Sequence, residues 1–248
     1  MCKTRCMLGH DVQWKEWNIL ENTLVKDVKE NLLRGQYIRA INYHNTHFVD
    51  QGKLERELKY YQQNFSPVSK EDLEEFFVTK EWKKEKPGLI ISMFEAYRNN
   101  YDVALPLLEK YGFIGWYHII TDFVDTPVPL QKEFAKNHSI DIDQFDEYSH
   151  DGRYAMTWDE VREVAKNHVI CSHTRSHYRI SLDTPEEVMK REIVESKTIL
   201  EEKLQQEVDI FCWLGGAQFN QNPVAADIIK NAGYRYLFGN SKIHRIAL

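Results

Sequence analysis

The stretch Val169-Ile170-Cys171-Ser172-His173-Thr174-Arg175-Ser176-His177-Tyr178 sets an apolar run directly before two histidines four residues apart. Val169 to Cys171 is short and apolar enough for a buried strand, so His173 falls where that strand stops. Strand ends of α/β proteins face the ligand crevice, which puts both imidazoles where chemistry collects. At this spacing they reach one Zn²⁺ or similar divalent ion when the intervening chain turns tightly, and neutral imidazole suits such metals. Spacing alone is a weak signal in a chain with 10 histidines, because a pair of surface histidines in a polar loop fits it too. The flanking sequence has to decide.

Upstream of this stretch, Tyr37 to Tyr43, Leu89 to Phe94 and Phe113 to Ile120 read as strands; downstream, Val208 to Trp213, Tyr234 to Phe238 and Lys242 to Ala247 do. Helical patterns separate them. Leu54 to Phe65 is one, a short helix opened by Ser69 with Asp72 another, and Tyr101 to Tyr111 a third that stops at Gly112. A helix around Gln131 to Asn137 interrupts the long stretch from Ile120 to Met156. Thr157 with Glu160 opens a helix to Asn167, Thr184-Pro185-Glu186-Glu187 opens a long one to about Gln206, and Asn222-Pro223 opens one that Gly233 closes. Such alternation specifies an α/β fold of parallel strands with outer helices, and no internal repeat competes with it.

Ahead of the first strand, Trp14, Trp17, Leu20, Leu24, Val28 and Leu32 recur at three- and four-residue steps before Gly35, the pattern of an amphipathic helix. The expected organisation is an N-terminal helical extension over 1–36 packed on a catalytic barrel over 37–248, a single domain overall. A chain of 248 residues with 42% apolar and 12% aromatic residues can fill one large core.

Against 38 acidic residues stand 32 basic ones, a net charge of −6 without long single-sign blocks. That balance argues against nucleic acid or an anionic membrane as partner and for a neutral substrate. No apolar stretch approaches a membrane span, and Met1-Cys2-Lys3-Thr4-Arg5-Cys6 leads into polar sequence, so the expectation is a cytoplasmic chain. Cys171 and Cys212 sit in apolar runs as small hydrophobes, and no disulfide framework is implied. Cys2, Cys6 and His10 can be written as a metal site, but three such residues near a terminus are more often incidental.

A second constellation lies at the end of another strand, where Glu95 in Met93-Phe94-Glu95-Ala96-Tyr97 is the one acid. A carboxylate and two imidazoles leave open positions for water, as metal-assisted hydrolysis requires, although a lone glutamate there also reads as a solvated strand terminus.

The block Ser92-Met93-Phe94-Glu95-Ala96-Tyr97-Arg98-Asn99-Asn100-Tyr101 resembles the T-F-D-D-G-Y-R-D-N-Y block of the polysaccharide deacetylases, also called carbohydrate esterase family 4 or the NodB-homology domain. The likeness continues through Ala104 to Gly112, and Ser172-His173-Thr174-Arg175-Ser176-His177 resembles the family's S-H-T-x-S-H. Segments around Ser196-Lys197, Phe211 to Asn220 and Ala232-Gly233-Tyr234 follow in family order, and Ile41-Asn42-Tyr43-His44 is similar to the early L-x-Y-H strand. The resemblance implies a (β/α)-barrel of the seven-stranded deacetylase type and hydrolysis of N-acetyl groups on amino sugars. It also implies a divalent metal, zinc by its ligands, held by one aspartate and two histidines. A neighbouring aspartate takes the proton of the attacking water, and a histidine protonates the leaving amine. His173 and His177 match the metal histidines and Glu95 falls on the metal aspartate; Tyr97, Trp213 and Asn220 are read as substrate contacts.

Departures from the pattern matter equally. The family's catalytic base falls on Phe94, which accepts no proton, and the following glycine is Ala96. The third block carries Leu214 and Gly215 for a proline and an aromatic residue, and the late leucine-x-histidine block has no counterpart, His244 sitting inside a strand-like pattern. Glu95 itself as base, or Asp122 or Asp125 after the next strand, are the replacements to test. General-base help is typically worth 10²- to 10⁴-fold. Two functions therefore compete: a metal-dependent hydrolase of non-peptide C–N bonds acting on an amino-sugar or other N-acyl substrate, and a carbohydrate- or metal-binding protein on the same scaffold with impaired catalysis.

Overall fold

A computed structural model describes residues 29–142, 147–213, 222–239 and 242–246. Its strands are β1 (Ile38–Tyr43), β2 (Ser66–Pro67), β3 (Gly88–Met93), β4 (Gly115–Ile119), β5 (Val169–Ser172), β6 (Ile210–Cys212), β7 (Tyr236–Gly239) and β8 (Lys242–Arg245). They form one sheet in the order β1-β3-β4-β5-β6-β7-β8, with β2 paired to the start of β3. Every pairing from β1 to β7 is parallel. The last strand departs from the parallel expectation: β8 runs antiparallel to β7, because only residues 240 and 241 separate them, too few for the crossover a parallel return needs. The sheet curls into an open barrel whose margins, β1 and β8, are not paired to each other among the described residues.

Period-two alternation sorts the side chains into two cores. Leu89, Ile91, Met93, Tyr117, Ile119 and Ile170 point outward under the helices, meeting Leu54, Leu58, Leu105 and Leu200. Ile90, Trp116, Cys171, Ile210, Cys212 and Phe238 point inward, where Val68, Leu73 and Trp82 close the amino-terminal end of the barrel. This plug sits so close that a Cβ on Gly88 would lie 2.8 Å from the Val68 side chain.

Capping chemistry sets the helix starts. Ser69 with Asp72 and Thr157 with Glu160 form reciprocal capping boxes on Lys70–Thr79 and Trp158–Val164. Asn222 accepts from the Ala225 amide to open Pro223–Asn231. Thr184 does not cap its helix as expected. Its hydroxyl accepts from the Ser181 amide instead, and Pro185 precedes the helix with no side-chain cap. The helix from Glu186 to Leu204 carries one π-helical turn at Arg191–Glu195, and a second π turn at Asn100–Ala104 precedes Leu105–Lys110. Of the expected amphipathic helix, residues 29–33 are helical and the rest lies outside the described residues. Among the described residues no helix is long and apolar enough to cross a membrane.

Candidate active site

Parallel pairing brings the carboxyl ends of β1, β3, β4 and β5 to one rim, and four of the residues just beyond them are His44, Phe94, Asp122 and His173. The backbone bends sharply there. Glu95 and Ala96 have φ of 66° and 61°, and Thr174 and His177 have φ of 64° and 63°. Left-handed conformations on residues with a Cβ cost of order 1 kcal/mol or more each, so packing must enforce them. Ala96 takes one at the position where the resembling block has glycine.

These bends aim three side chains at one point. Donor atoms of Glu95, His173 and His177 all lie within 4.8 Å of one another. Glu95 Oε1 is 3.9 Å from His173 Nε2 and 3.6 Å from His177 Nε2. Donors around a tetrahedral zinc stand about 3.3 Å apart, so a small inward movement suffices. Both imidazoles are set in the ligating tautomer. His177 Nδ1 donates to the His138 carbonyl at 2.7 Å and His173 Nδ1 to the Cys212 carbonyl at 3.3 Å. Carbonyls only accept, so each Nδ1 carries the proton and each Nε2 presents a lone pair. His177 Nε2 is buried with no hydrogen-bond partner, which a cation would supply. Burial holds the His177 pKa below its usual value and the His173 pKa well below, the nearby imidazoles adding to the latter, so both rings stay neutral. The donor set fits a divalent ion of zinc's type.

His44, at the end of β1, carries no role in the sequence pattern, and the structure brings it to this centre. Its Nδ1 lies 2.8 Å and 3.0 Å from the two Glu95 oxygens. The Glu95 carboxylate is 4% exposed while the His44 side chain is 60% exposed, so the imidazole joins a buried carboxylate to the mouth. The hydrogen bond that His44 donates to Glu95 raises the His44 pKa. Phe94 occupies the space beside it. Its ring is sandwiched between His44, at 5.0 Å, and His118, at 4.4 Å, and meets His173 edge-on. His118 is fully buried, neither ring nitrogen has a hydrogen-bond partner, and desolvation pushes its pKa down to about 3.

The other expected site residues lie elsewhere or are otherwise engaged. Asp122 accepts from Arg175 Nε at 2.8 Å, and Asp125 accepts from the Trp158 indole at 2.7 Å. Tyr97 is buried against Phe123, in the cluster of Ile120, Ile140 and Tyr154 beyond the strand ends. Trp213 faces outward with Phe211, packed on Ile180, Met189 and Ala225. Asn220, Leu214 and Gly215 fall outside the described residues. His244 lies on β8, opposite Leu237, within the antiparallel pair.

The family model for polysaccharide deacetylases matches residues 83–237, more than half of the chain. The chain belongs to the polysaccharide deacetylase family. Among curated relatives, the poly-β-1,6-N-acetyl-D-glucosamine N-deacetylases of Escherichia coli K12 and O157:H7 are each 24% identical over 237 residues. The match covers 80% of this chain and 33% of theirs, so the deacetylase-family chain spans about a third of the length of the curated relatives it matches. Solved structures share its fold. IcaB from Ammonifex degensii aligns with a TM-score of 0.64 at 16% identity, over 86% of this chain and 88% of that one. A de-N-acetylase from Aggregatibacter actinomycetemcomitans gives 0.63 at 18% identity, over 85% and 91%. The Streptococcus pyogenes deacetylase PplD, in complex with acetate, gives 0.59 at 15% identity, over 80% of each chain.

Proposed function

We propose that this deacetylase-family chain is a metal-dependent hydrolase that removes the acetyl group from an N-acetylated amino sugar within a saccharide chain. The convergence of Glu95, His173 and His177, both imidazoles tautomer-locked with Nε2 inward, carries this reading. The curated relatives make N-acetylglucosamine oligomers the first substrate to test. A divalent ion in this donor set, zinc by its nitrogen and oxygen ligands, supplies polarisation of the amide carbonyl and a water acidic enough to ionise near neutral pH.

The chain's own residues do the rest. His138 and Cys212 carbonyls fix the two imidazoles, and His44 fixes the Glu95 carboxylate. With Nδ1 committed to Glu95, the half-exposed His44 ring keeps Nε2 as the atom from which a leaving amine can take a proton. Phe94 accepts none. Proton removal falls to Glu95, and a site missing its dedicated base works 10²- to 10⁴-fold below one that has it. Phe94 also supports a second reading, a metal- and saccharide-binding protein that retains the donors without turnover.

Zinc content by mass spectrometry and acetate release from N-acetylglucosamine oligomers separate the two for the native chain, His173→Ala and Phe94→Asp. Native acetate release that disappears in His173→Ala supports the enzyme. Zinc uptake by a native chain that releases no acetate, with release appearing in Phe94→Asp, supports the binding protein. No zinc uptake and no gain in Phe94→Asp would sink the hydrolase reading.

A further inference from the structure

The turn that carries both metal-facing histidines is gripped from outside by a buried carboxylate. Glu192 is fully buried on the π-helical turn Arg191–Glu195, in the helix packed behind β5. Its Oε2 accepts from the Ser176 amide at 2.8 Å and the Arg175 amide at 3.1 Å. Its Oε1 accepts from the Ser176 hydroxyl at 2.9 Å and from Arg191 Nη2 at 3.0 Å. A buried carboxylate is costly unless its oxygens are satisfied, and here three of the five hydrogen bonds it accepts come from the residues between His173 and His177, the other two from the Arg191 guanidinium. On either side of them Thr174 and His177 hold left-handed backbone, a geometry that relaxes unless something pins the amides. An i→i−4 helix would set Glu192 differently around the axis. Glu192 sits on an inserted π turn, a local irregularity of a kind that gathers at functional sites.

We propose that Glu192 is a positioning residue of the metal centre, holding the 173–177 turn so that both Nε2 atoms meet at one ion. The proposal rests on the metal reading above. Glu192 acts on the metal centre only through Arg175 and Ser176, gripping both amides and the Ser176 hydroxyl. Outer-shell partners of metal ligands are typically worth ten- to a hundredfold in metal affinity.

Zn²⁺ affinity of the full chain, by competition with a chromogenic chelator, is measured beside hydrogen exchange at the Arg175 and Ser176 amides. Four forms are compared: native, Glu192→Ala, Glu192→Gln and Ile193→Ala. Glutamine keeps one oxygen for the two amides and a donor for the Ser176 hydroxyl. Ile193, buried on the same π turn, offers the 173–177 turn no side-chain hydrogen bond and packs in the cluster of Ile229, Tyr234 and Leu237, so it reports loss of packing. The expected result is a ten- to a hundredfold loss of Zn²⁺ affinity and loss of amide protection in Glu192→Ala, both largely restored in Glu192→Gln, with affinity unchanged in Ile193→Ala. Native Zn²⁺ affinity in Glu192→Ala, or an equal loss in Ile193→Ala, overturns the proposal while leaving the metal site standing. A native chain that takes up no Zn²⁺ overturns the metal reading first, and the role of Glu192 in metal binding with it.

Discussion

The ring of Phe94 lies face to face with the imidazole of His118, centroids 4.4 Å apart and planes 13° from parallel. An aromatic side chain thus fills the position where the family's base would stand, and it shields a histidine that has no hydrogen-bond partner. Phe94→Asp replaces that shield with a carboxylate next to His173. Acetate release from N-acetylglucosamine oligomers should rise by about 10²-fold or more. Removing the ring from its three-sided contact should also lower stability by about 3 kcal/mol, read as a shift in the urea midpoint. An unchanged rate in a folded, zinc-loaded Phe94→Asp chain would exclude the missing base as the limit on turnover.

His44 serves Glu95 through one nitrogen and the mouth through the other, so two substitutions separate its duties. His44→Ala should lower kcat about 10²-fold and weaken zinc retention, because the buried Glu95 carboxylate loses a hydrogen bond. His44→Gln returns a donor to Glu95 without returning proton transfer. It should recover zinc content in mass spectrometry while kcat stays low. Equal kcat in both variants and the native chain would remove His44 from the chemistry.

Asn99, 3% exposed, ties the segment after β1 to the rim. It accepts from the Thr46 amide at 3.1 Å and donates to Asn45 Oδ1 and to Glu147 Oε1. Asn99→Leu fills the space but strands the Thr46 amide in a buried setting, a cost of about 1–3 kcal/mol. Urea unfolding should show it, and KM should rise because His44 stands at the base of the same segment.

Acid sensitivity should come in part from His168. Its Nδ1 accepts from the Gly115 amide at 2.8 Å, a bond only the neutral ring can make. Burial holds its pKa below the usual 6.5, against a weak opposing pull from Glu109. In the unfolded chain the ring takes up its proton first as pH falls below 6.5, so the unfolded state binds more protons and stability drops with pH. His168→Gln keeps an acceptor for Gly115 without a titrating group. Its urea midpoint should fall less between pH 7.5 and 5.5 than that of the native chain, and an identical fall would assign the acid sensitivity to other groups.

The main strands were legible because each carries an apolar run bounded by turn residues, and Glu95, His173 and His177 because they follow such runs. The direction of β8 was not, since strand orientation is set by the length and course of the connection and not by the strand's composition. Trp213 shows what alternation can do when applied strictly: Ile210 and Cys212 face inward, so Phe211 and Trp213 must face the helices. Thr184 missed its helix because a hydroxyl near a helix start can as well satisfy a turn amide. His44 was readable from its strand end alone. Glu192 was not, because an unbroken helical pattern gives no sign of a π turn and a glutamate on a helix is ordinarily solvated.

The barrel's open seam places the two halves of the centre on different mechanical footings. Strand β3, which leads into Glu95, and β5, which leads into His173, each have hydrogen-bonded strands on both sides, whereas β1, which leads into His44, is bonded to β3 alone among the described residues. The imidazole of His44 therefore stands on a strand held from one side, while Glu95, His173 and the turn between His173 and His177 hang from strands held on both.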